Sequence, residues 1–453
     1  MGDSVDVLKG YVKSLCEHLQ DEYTLSPELF QNSNIKRGLR NADGTGVMAG
    51  VTGIGSVQGY YVVDGERIPM PGHLYYRGYD LSDIVEAHRA EGSFGYEEVA
   101  YLLLIGKLPS KNQFDQFNAI LSSARQLPPD FTENMILKSP SQNIMNKLAR
   151  SVLALYPYDS SADDSSIENV ARQSIQLVGR LPVIAAYAYA VKRHYYDGKS
   201  LYLHMPKENL SLSENFLRMI RRDKQYTREE ALLLDMMLMI HAEHGGGNNS
   251  AFACRVLSSS GTDTYSAISA AIGSLKGPLH GGANAKVMEM FADIKANVSD
   301  WNDDDELSAY LEKMLRGDAG DCSGKIYGLG HAIYTLSDPR TELIKKNAGK
   351  MAEENGRLAD FELIKSVERL GSKLIETHKS GGIPVCANVD MYSGLIYSML
   401  GIPEDLFTPL FAIARIAGWC AHRMEELVSG GRIIRPAYRA AVHQAEYTPM
   451  DMR

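Results

Sequence analysis

The chain has 453 residues, with 47 Lys plus Arg against 56 Asp plus Glu and a formal charge of −9, so it lacks the basic excess that nucleic-acid binding requires. Hydrophobic residues at 44% and charged residues at 23% match ordinary globular domains and exclude extended disorder and fibrous repeats. The five cysteines, Cys16, Cys254, Cys322, Cys386 and Cys420, form no CxxC pair, which points to a reducing compartment rather than to a disulfide framework or zinc ribbon. The first forty residues carry Asp3, Asp6, Glu17, Asp21 and Glu22 and lack both a signal-peptide core and a transit-peptide composition, so a cytoplasmic location is expected. The apolar stretches at 181–191 and 406–414 fall short of the ~20 residues that span a bilayer. No membrane segment is expected.

In chain order, Val5, Leu8, Val12, Leu15 and Leu19 recur every three or four positions and predict an N-terminal helix. From Gly46 to Gly78 the texture turns to glycine, β-branched and aromatic residues. Asp64-Gly65, between YYVV and ERIP, predicts a hairpin and the only β-structure. Beyond Tyr79 helical periodicity dominates, interrupted at Pro109, Pro128-Pro129, Pro140, Pro157, Gly198 and Pro206. Thr227 and Glu230 have the spacing of a capping box and open a helix over 228–243. Tyr265, Ile268, Ile272 and Leu275 stripe a second helix, closed by Gly277-Pro278. Leu279-His280-Gly281-Gly282 then leads into a third, with Val287, Met290, Phe291 and Ile294 on one face. The acidic stretch from Asp300 to Glu306 reads as a solvated connection and helix start. Thr408-Pro409 predicts an N-cap and first-turn proline for a long C-terminal helix. No period of roughly 20–50 residues marks a solenoid.

Four ionisable groups stand among glycine or apolar neighbours: His244 before three glycines, His280 before Gly281-Gly282, His331 after Gly328-Leu329-Gly330, and Asp390 within NVDMYSG. Glycine lets a ligand approach the backbone. Taken singly, each histidine also reads as a hydrogen-bonded core residue, and Asp390 as a helix N-cap. Arg415, between Phe411 and Trp419 on an apolar helix face, is costly without an anionic partner. His241, Glu243 and His244 lack the spacing and third ligand of a zinc site, so no metal is expected. Gly53, Gly55 and Gly59 precede a strand where a dinucleotide site needs a helix. A non-catalytic helical interaction protein is the remaining rival.

The blocks HAEHGGGNNS at 241–250, GPLHGGANAK at 277–286, GLGHAIYTLSDPR at 328–340, NVDMYSG at 388–394, ARIAGWCAHRMEE at 414–426 and RIIRP at 432–436 resemble the citrate synthase family. Order and spacing agree from about Gly55 to Pro436. The resemblance implies an all-α, two-domain fold with a small β-hairpin near the N-terminus. Residues 1–282 and 396–453 would form the large domain, and 283–395 a small domain inserted in it that closes over the substrates. It also implies a homodimer with shared active-site residues, and no cofactor, acetyl-CoA being a substrate. The implied reaction condenses acetyl-CoA with oxaloacetate and hydrolyses the citryl thioester to citrate and CoA. 2-Methylcitrate synthase, using propionyl-CoA on the same framework, stays open, because one methylene in an apolar pocket is worth only ~1–3 kcal/mol.

By the same resemblance, Asp390 is the base, His280 stabilises the enol and His331 donates to the oxaloacetate ketone. His244, Arg340, Arg415 and Arg435 join His331 in holding oxaloacetate, Arg435 entering the neighbouring subunit's site. Ser323, Gly324, Lys325, Tyr327, Gly328 and Gly330 lie along CoA. The residue types suit the chemistry. A thioester methyl is a very weak acid and needs both an aligned base and a donor to its carbonyl oxygen. A partly desolvated Asp390 is a stronger base than one at the ordinary pKa of about 3.9. The start of a helix after His280 favours a neutral ring, and a dianion calls for guanidinium forks. The chain departs from many relatives in the glycines and asparagines after His244. It also carries extra length around 159–166 and 195–223, which reads as surface elaboration.

Overall fold

The computed structural model describes residues 9, 11–13, 15–16, 23–30, 35–41, 44–64, 66–378, 383–429, 431–442 and 444–453. Two compact units divide the chain, one of residues 1–49 and 434–453, the other of residues 50–433. The first unit holds short 3-10 turns at Pro27–Phe30 and Arg37–Leu39 and an antiparallel bridge between Arg40 and Gly46. Within the expected N-terminal helix, Lys9, Tyr11, Val12, Lys13, Leu15 and Cys16 are helical. Val5, Leu8 and Leu19 lie outside the described residues.

The second unit opens with the expected hairpin, β1 (Gly55–Val63) antiparallel to β2 (Glu66–Tyr76), with β3 (Tyr79–Asp80) on the other edge of β2. Val63 pairs with Glu66, leaving a two-residue turn in which Asp64 takes φ +52°, the left-handed conformation that tight hairpin turns demand. Gly65 lies outside the described residues. The hairpin lies directly against the segment 331–337. A Cβ at Gly72 would sit 2.2 Å from the Ser337 carbonyl and 2.7 Å from the Tyr334 ring, and one at Gly59 2.5 Å from the Ile333 carbonyl. Glycine is what admits this approach, and the Gly72 N–H donates to Ser337 Oγ at 3.1 Å.

Helices follow in two groups. The first comprises α1 (Leu81–Glu91), α2 (Tyr96–Ile105), α3 (Lys111–Ala124), α4 (Ile144–Leu153), α5 (Ile167–Asp197), α6 (Leu212–Ile220), α7 (Arg228–His241), α8 (Asn249–Ser259) and α9 (Thr264–Leu275). The second comprises α10 (Ala283–Asn297), α11 (Asp304–Arg316), α12 (Pro339–Glu354), α13 (Leu358–His378) and α14 (Asp390–Met399). Then α15 (Phe407–Val428) returns to pack on α2, α5, α7, α8 and α9. From Phe407 to Met424 nearly every residue of α15 is buried, as expected of a helix apolar on all sides. In the second group α10 packs on α14, α11 on α13, and α12 on both α13 and α14, while α12 also meets α1, α7 and β2.

Caps set several boundaries as the sequence indicates. Thr227 and Glu230 form a complete capping box at α7, and Asp303 caps α11. Three readings need correction. Thr408 is not an N-cap: α15 begins at Phe407, and the Thr408 hydroxyl donates instead to the Gly281 carbonyl at 3.1 Å. The extra segments are surface elaborations only in part: residues 163–166 and 195–201 are exposed, but α6 buries Leu212, Phe216, Leu217, Met219 and Ile220. Asp159, likewise, accepts from Arg172, Gln173 and Tyr265. The apolar stretch at 181–191 belongs to a longer helix, α5, which has the length and composition to cross a bilayer, yet 83% of its most apolar window is buried inside the fold.

Candidate active site

The end of α7, the loop before α10, the 331–340 segment, the start of α14 and the middle of α15 bring His244, His280, His331, Arg340, Asp390 and Arg415 into one interacting cluster. Arg415 comes from α15 and is 1% exposed. Its Nε donates to the His241 carbonyl at 2.6 Å, and its guanidinium lies 4.8 Å over the Phe411 ring. Both terminal nitrogens, Nη1 and Nη2, are buried without a partner. Burial draws the Arg415 pKa down to about 10, with the Glu243 carboxylate the first charge opposing it, so the group stays cationic at neutral pH.

Arg340 begins α12 behind Asp338, which caps the helix through the Arg340 N–H at 3.0 Å. Asp338 also takes Arg340 Nε at 3.0 Å and Nη2 at 2.6 Å. Burial works against this guanidinium, but the Asp338 carboxylate outweighs it and holds the pKa above the ordinary arginine value. One edge of Arg340 is therefore committed to Asp338, and Nη1 is the nitrogen left over.

His331 stacks on Tyr334 with centroids 4.5 Å apart and planes at 23°. His244 meets both edge-on, at 5.1 Å from His331 and 5.7 Å from Tyr334. The backbone N–H groups of Ile333 and Tyr334 each donate to His331 Nδ1 at 3.1 Å. A ring nitrogen accepting two N–H groups carries no proton, so the His331 proton sits on Nε2. Burial, helped by Arg340, lowers the His331 pKa to about 4. Burial, then Arg340, His331 and Arg415, pushes His244 well below the ordinary value, and its Nε2 is buried without a partner.

His280 is half-buried, and its Nε2 lies 3.1 Å from Ser250 Oγ. Ser250 Oγ also accepts from Trp419 Nε1 at 3.1 Å and lies 2.9 Å from Asn248 Oδ1. Burial first, and Arg415 second, lower the His280 pKa to about 4. The neutral ring expected from the following helix is thus found, with burial as its main cause. Asp390 is the first residue of α14, and Val389 occupies the N-cap position without a side-chain cap bond, so the N-cap alternative for Asp390 is set aside. Burial raises the Asp390 pKa to about 6 against the pull of Arg340.

Beside this cluster, Glu243 is wholly buried and takes His422 Nε2 at 2.8 Å and the Gly245 N–H at 2.5 Å. Burial alone would raise its pKa, but His422 and Arg415 outweigh that and hold it below the usual value. His241 Nδ1–H donates to the Met237 carbonyl at 2.7 Å. Among the described residues no three His, Cys, Asp or Glu side chains converge as a metal site would need.

The glycine-rich loop is tied to the strand-like segment that leads into Asp390. Leu329 bridges Ala387, the Gly330 N–H donates to the Cys386 carbonyl at 2.9 Å, and the Asn388 N–H to the Gly328 carbonyl at 2.8 Å. Tyr327 donates to Asp321 Oδ2 at 2.6 Å and lies 3.2 Å from Ser323 Oγ. Lys325 is exposed. Arg435 belongs to the unit of residues 1–49 and 434–453 and is exposed.

Sequence reasoning passed over Asp338, Tyr334 and Ser250, and weighed Glu243 only as a metal ligand. Asp338-Pro339 carries the signature of a capped helix start and was legible. Ser250 and Tyr334 gain their meaning only from contacts across the fold.

Residues 43–437 match the family described as citrate synthase, C-terminal domain. The chain belongs to the citrate synthase family. The citrate synthase of Haloferax volcanii is 33% identical over 396 residues, covering 86% of this chain and 94% of that protein. The citrate/2-methylcitrate synthase of Bacillus subtilis is 33% identical over 361 residues, covering 80% and 88%. Among solved citrate synthase structures, that from Pyrobaculum aerophilum superposes with a TM-score of 0.75 at 27% identity, covering 95% of this chain and 97% of that one. A ternary complex of carboxymethyl coenzyme A and oxaloacetate with the Thermoplasma acidophilum citrate synthase gives 0.74 at 26% identity, covering 93% and 100%. Citrate synthases thus share this helical fold over nearly its whole length.

Proposed function

We propose that this cluster condenses acetyl-CoA with oxaloacetate and hydrolyses the citryl thioester to citrate and CoA. The observation that carries the reading is Arg415, whose two terminal nitrogens are buried, charged and unpartnered. Such a group is stable only opposite an anion, and its planar edge fits a carboxylate in two-pronged fashion. One oxaloacetate carboxylate takes this edge. His244, the remaining Arg340 nitrogen and Arg435 of the partner subunit complete the clamp.

The neutral His331 offers Nε2–H to the ketone oxygen, making the ketone carbon electrophilic. Asp390 removes a proton from the thioester methyl while His280 donates Nδ1–H to the thioester oxygen, so the enolate charge never builds up unshielded. That role requires His280 Nε2 to accept from the Ser250 hydroxyl, whose single proton is then spent, with Trp419 Nε1–H and the turned Asn248 amide donating to Ser250 Oγ. The enol carbon attacks the ketone carbon, the carbon–carbon bond forms, and the new alkoxide, hydrogen-bonded to His331 Nε2–H, ends protonated by the equivalent of the proton that Asp390 removed, so His331 stays neutral and Asp390 returns to its carboxylate. Water then cleaves the thioester and releases CoA. The loop Ser323, Gly324, Lys325, Tyr327, Gly328 and Gly330 runs along the acyl-CoA.

Residues 283–395 act as the small domain against 1–282 and 396–453, in a homodimer. A cytoplasmic location accords with five free cysteines among the described residues. CoA thiol release with oxaloacetate saturating, compared for acetyl-CoA and propionyl-CoA, tests the reading. A higher kcat/KM for acetyl-CoA is expected. A reversal would make the enzyme a 2-methylcitrate synthase, and no thiol release with either would sink the reaction class.

A further inference from the structure

Asp390 and His280 must flank the same thioester, yet they stand on separate helices. His280 precedes α10 by three residues, and Asp390 opens α14. In the seam between α10 and α14, a Cβ at Gly394 would lie 2.5 Å from Met288 Sδ and 3.0 Å from Asn284 Oδ1. Across this buried seam runs one side-chain hydrogen bond, from Asn284 Nδ2 to Ser393 Oγ at 2.5 Å, with Asn284 5% and Ser393 1% exposed. Asn284 lies four residues after His280. Ser393 lies three after Asp390, on the same helix face. The other amide atom of Asn284 has no partner, so the bond to Ser393 is what that polar side chain does in the native fold.

We propose that Asn284 and Ser393 are positioning residues whose hydrogen bond sets the register of α14 against α10, and so the reach of Asp390 to the thioester methyl opposite His280. The inference rests on the reaction proposed above. A lone polar pair in an apolar seam specifies one register, because any slide leaves buried polar groups unpaired. Apolar packing alone tolerates small slides. A displacement of about 1 Å between base and substrate lowers turnover by ~100-fold. Neither residue touches the reacting atoms, so the effect falls on proton removal and not on oxaloacetate binding, which uses Arg415, Arg340, His331 and His244.

Ser393→Ala removes one oxygen and leaves the helix intact. With this variant kcat for acetyl-CoA is expected to fall ~10- to 100-fold, while the calorimetric Kd for oxaloacetate stays within about twofold. The primary isotope effect with trideuterated acetyl-CoA should rise, because proton removal becomes the slow step. Asn284→Ala should give the same phenotype, and the double variant should be no worse than either single one. A purely structural loss would lower the active fraction and leave the isotope effect unchanged, and that result overturns the proposal. Normal turnover in Ser393→Ala overturns it too. If the unaltered enzyme releases no thiol from acetyl-CoA, the reaction itself is wrong and the positioning role falls with it, an outcome distinct from normal turnover in the variant.

Discussion

Asp390 carries opposing demands at the scale of one side chain. Desolvation raises its pKa from 3.8 to about 6, which strengthens it as a base and makes its ionised form costly in the native state. The sign follows from the direction. Below pH 4 the carboxyl is protonated in both folded and unfolded chains, and the penalty accrues as pH rises to about 6 and is complete above it. Asp390→Asn should therefore lose at least ~100-fold in kcat yet gain ~1–3 kcal/mol of stability at pH 7, shrinking towards zero at pH 4. Thermal denaturation at the two pH values checks this; an equal gain at both would mean that ionisation of Asp390 is not the cause. The same group predicts that kcat/KM of the native enzyme declines as pH falls through about 6. The histidines add no change near neutrality, since burial leaves His280 and His331 with pKa values of about 4. That these side chains mattered was legible from their glycine neighbours. That Arg340 is half-committed to Asp338 was not, since exposure and partner are properties of the fold.

At the scale of elements, the hairpin is the part whose purpose is least visible in its own sequence. The turn and strands follow from local chemistry, Asp64 at φ +52° included. The reason for Gly59 and Gly72 lies more than 250 residues away, in the segment 331–337 that presses against them. Gly72→Ala should push the Ser337 carbonyl and Tyr334 aside, destabilise the fold by ~1–3 kcal/mol and lower kcat at least ~10-fold by moving His331. Ser56→Ala, at an exposed position on β1, should leave both unchanged. Activity and melting temperature of the pair test the point, and a fully active Gly72→Ala would mean the hairpin does not back the loop. The helix starts show the same division. The capping box at Thr227 is local and was readable. Thr408 has the composition of a cap, but the 3-10 turn Glu404–Leu406 runs straight into α15 at Phe407, which puts Thr408 inside the first turn and leaves its hydroxyl to donate to the Gly281 carbonyl; the flanking residues carry no trace of that.

For the whole molecule, the reading of residues 283–395 as a closing domain has a thermodynamic consequence. His331, Arg340 and Asp390 lie within that span, whereas His244 and Arg415 lie outside it, so oxaloacetate held as proposed would bridge the two. A ligand shifts a conformational equilibrium only by its differential affinity for the two states, and one that bridges both domains favours the closed form. Oxaloacetate should therefore tighten a non-reactive acyl-CoA analogue by ~5–150-fold, and the analogue should tighten oxaloacetate by the same factor. Calorimetric titration of each with and without the other decides it, and independent affinities would mean a rigid site. If Arg435 serves the partner subunit's site, mixing inactive Asp390→Asn and Arg435→Leu protomers should restore about a quarter of native activity through hybrid dimers. No recovery after verified subunit exchange would place Arg435 in its own subunit's site or in none.

Periodicity, caps and turn residues are properties of short windows, and through them the sequence by itself determined the helical class, the hairpin, the capped start at Thr227 and the candidate residues. The blocks around His244, His280, His331, Asp390 and Arg415 were recognisable because catalysis needs particular side chains beside glycines and apolar neighbours. Only the tertiary structure decided which of those groups are neutral, which are charged and which nitrogens are spoken for. His331 takes its tautomer from two backbone amides, Arg415 keeps two buried nitrogens open, Arg340 gives one edge to Asp338, and the helix with Asp390 is held to the helix after His280 through Asn284 and Ser393. Desolvation and hydrogen-bond partnership depend on atoms brought together from distant parts of the chain, so no local window of sequence contains them.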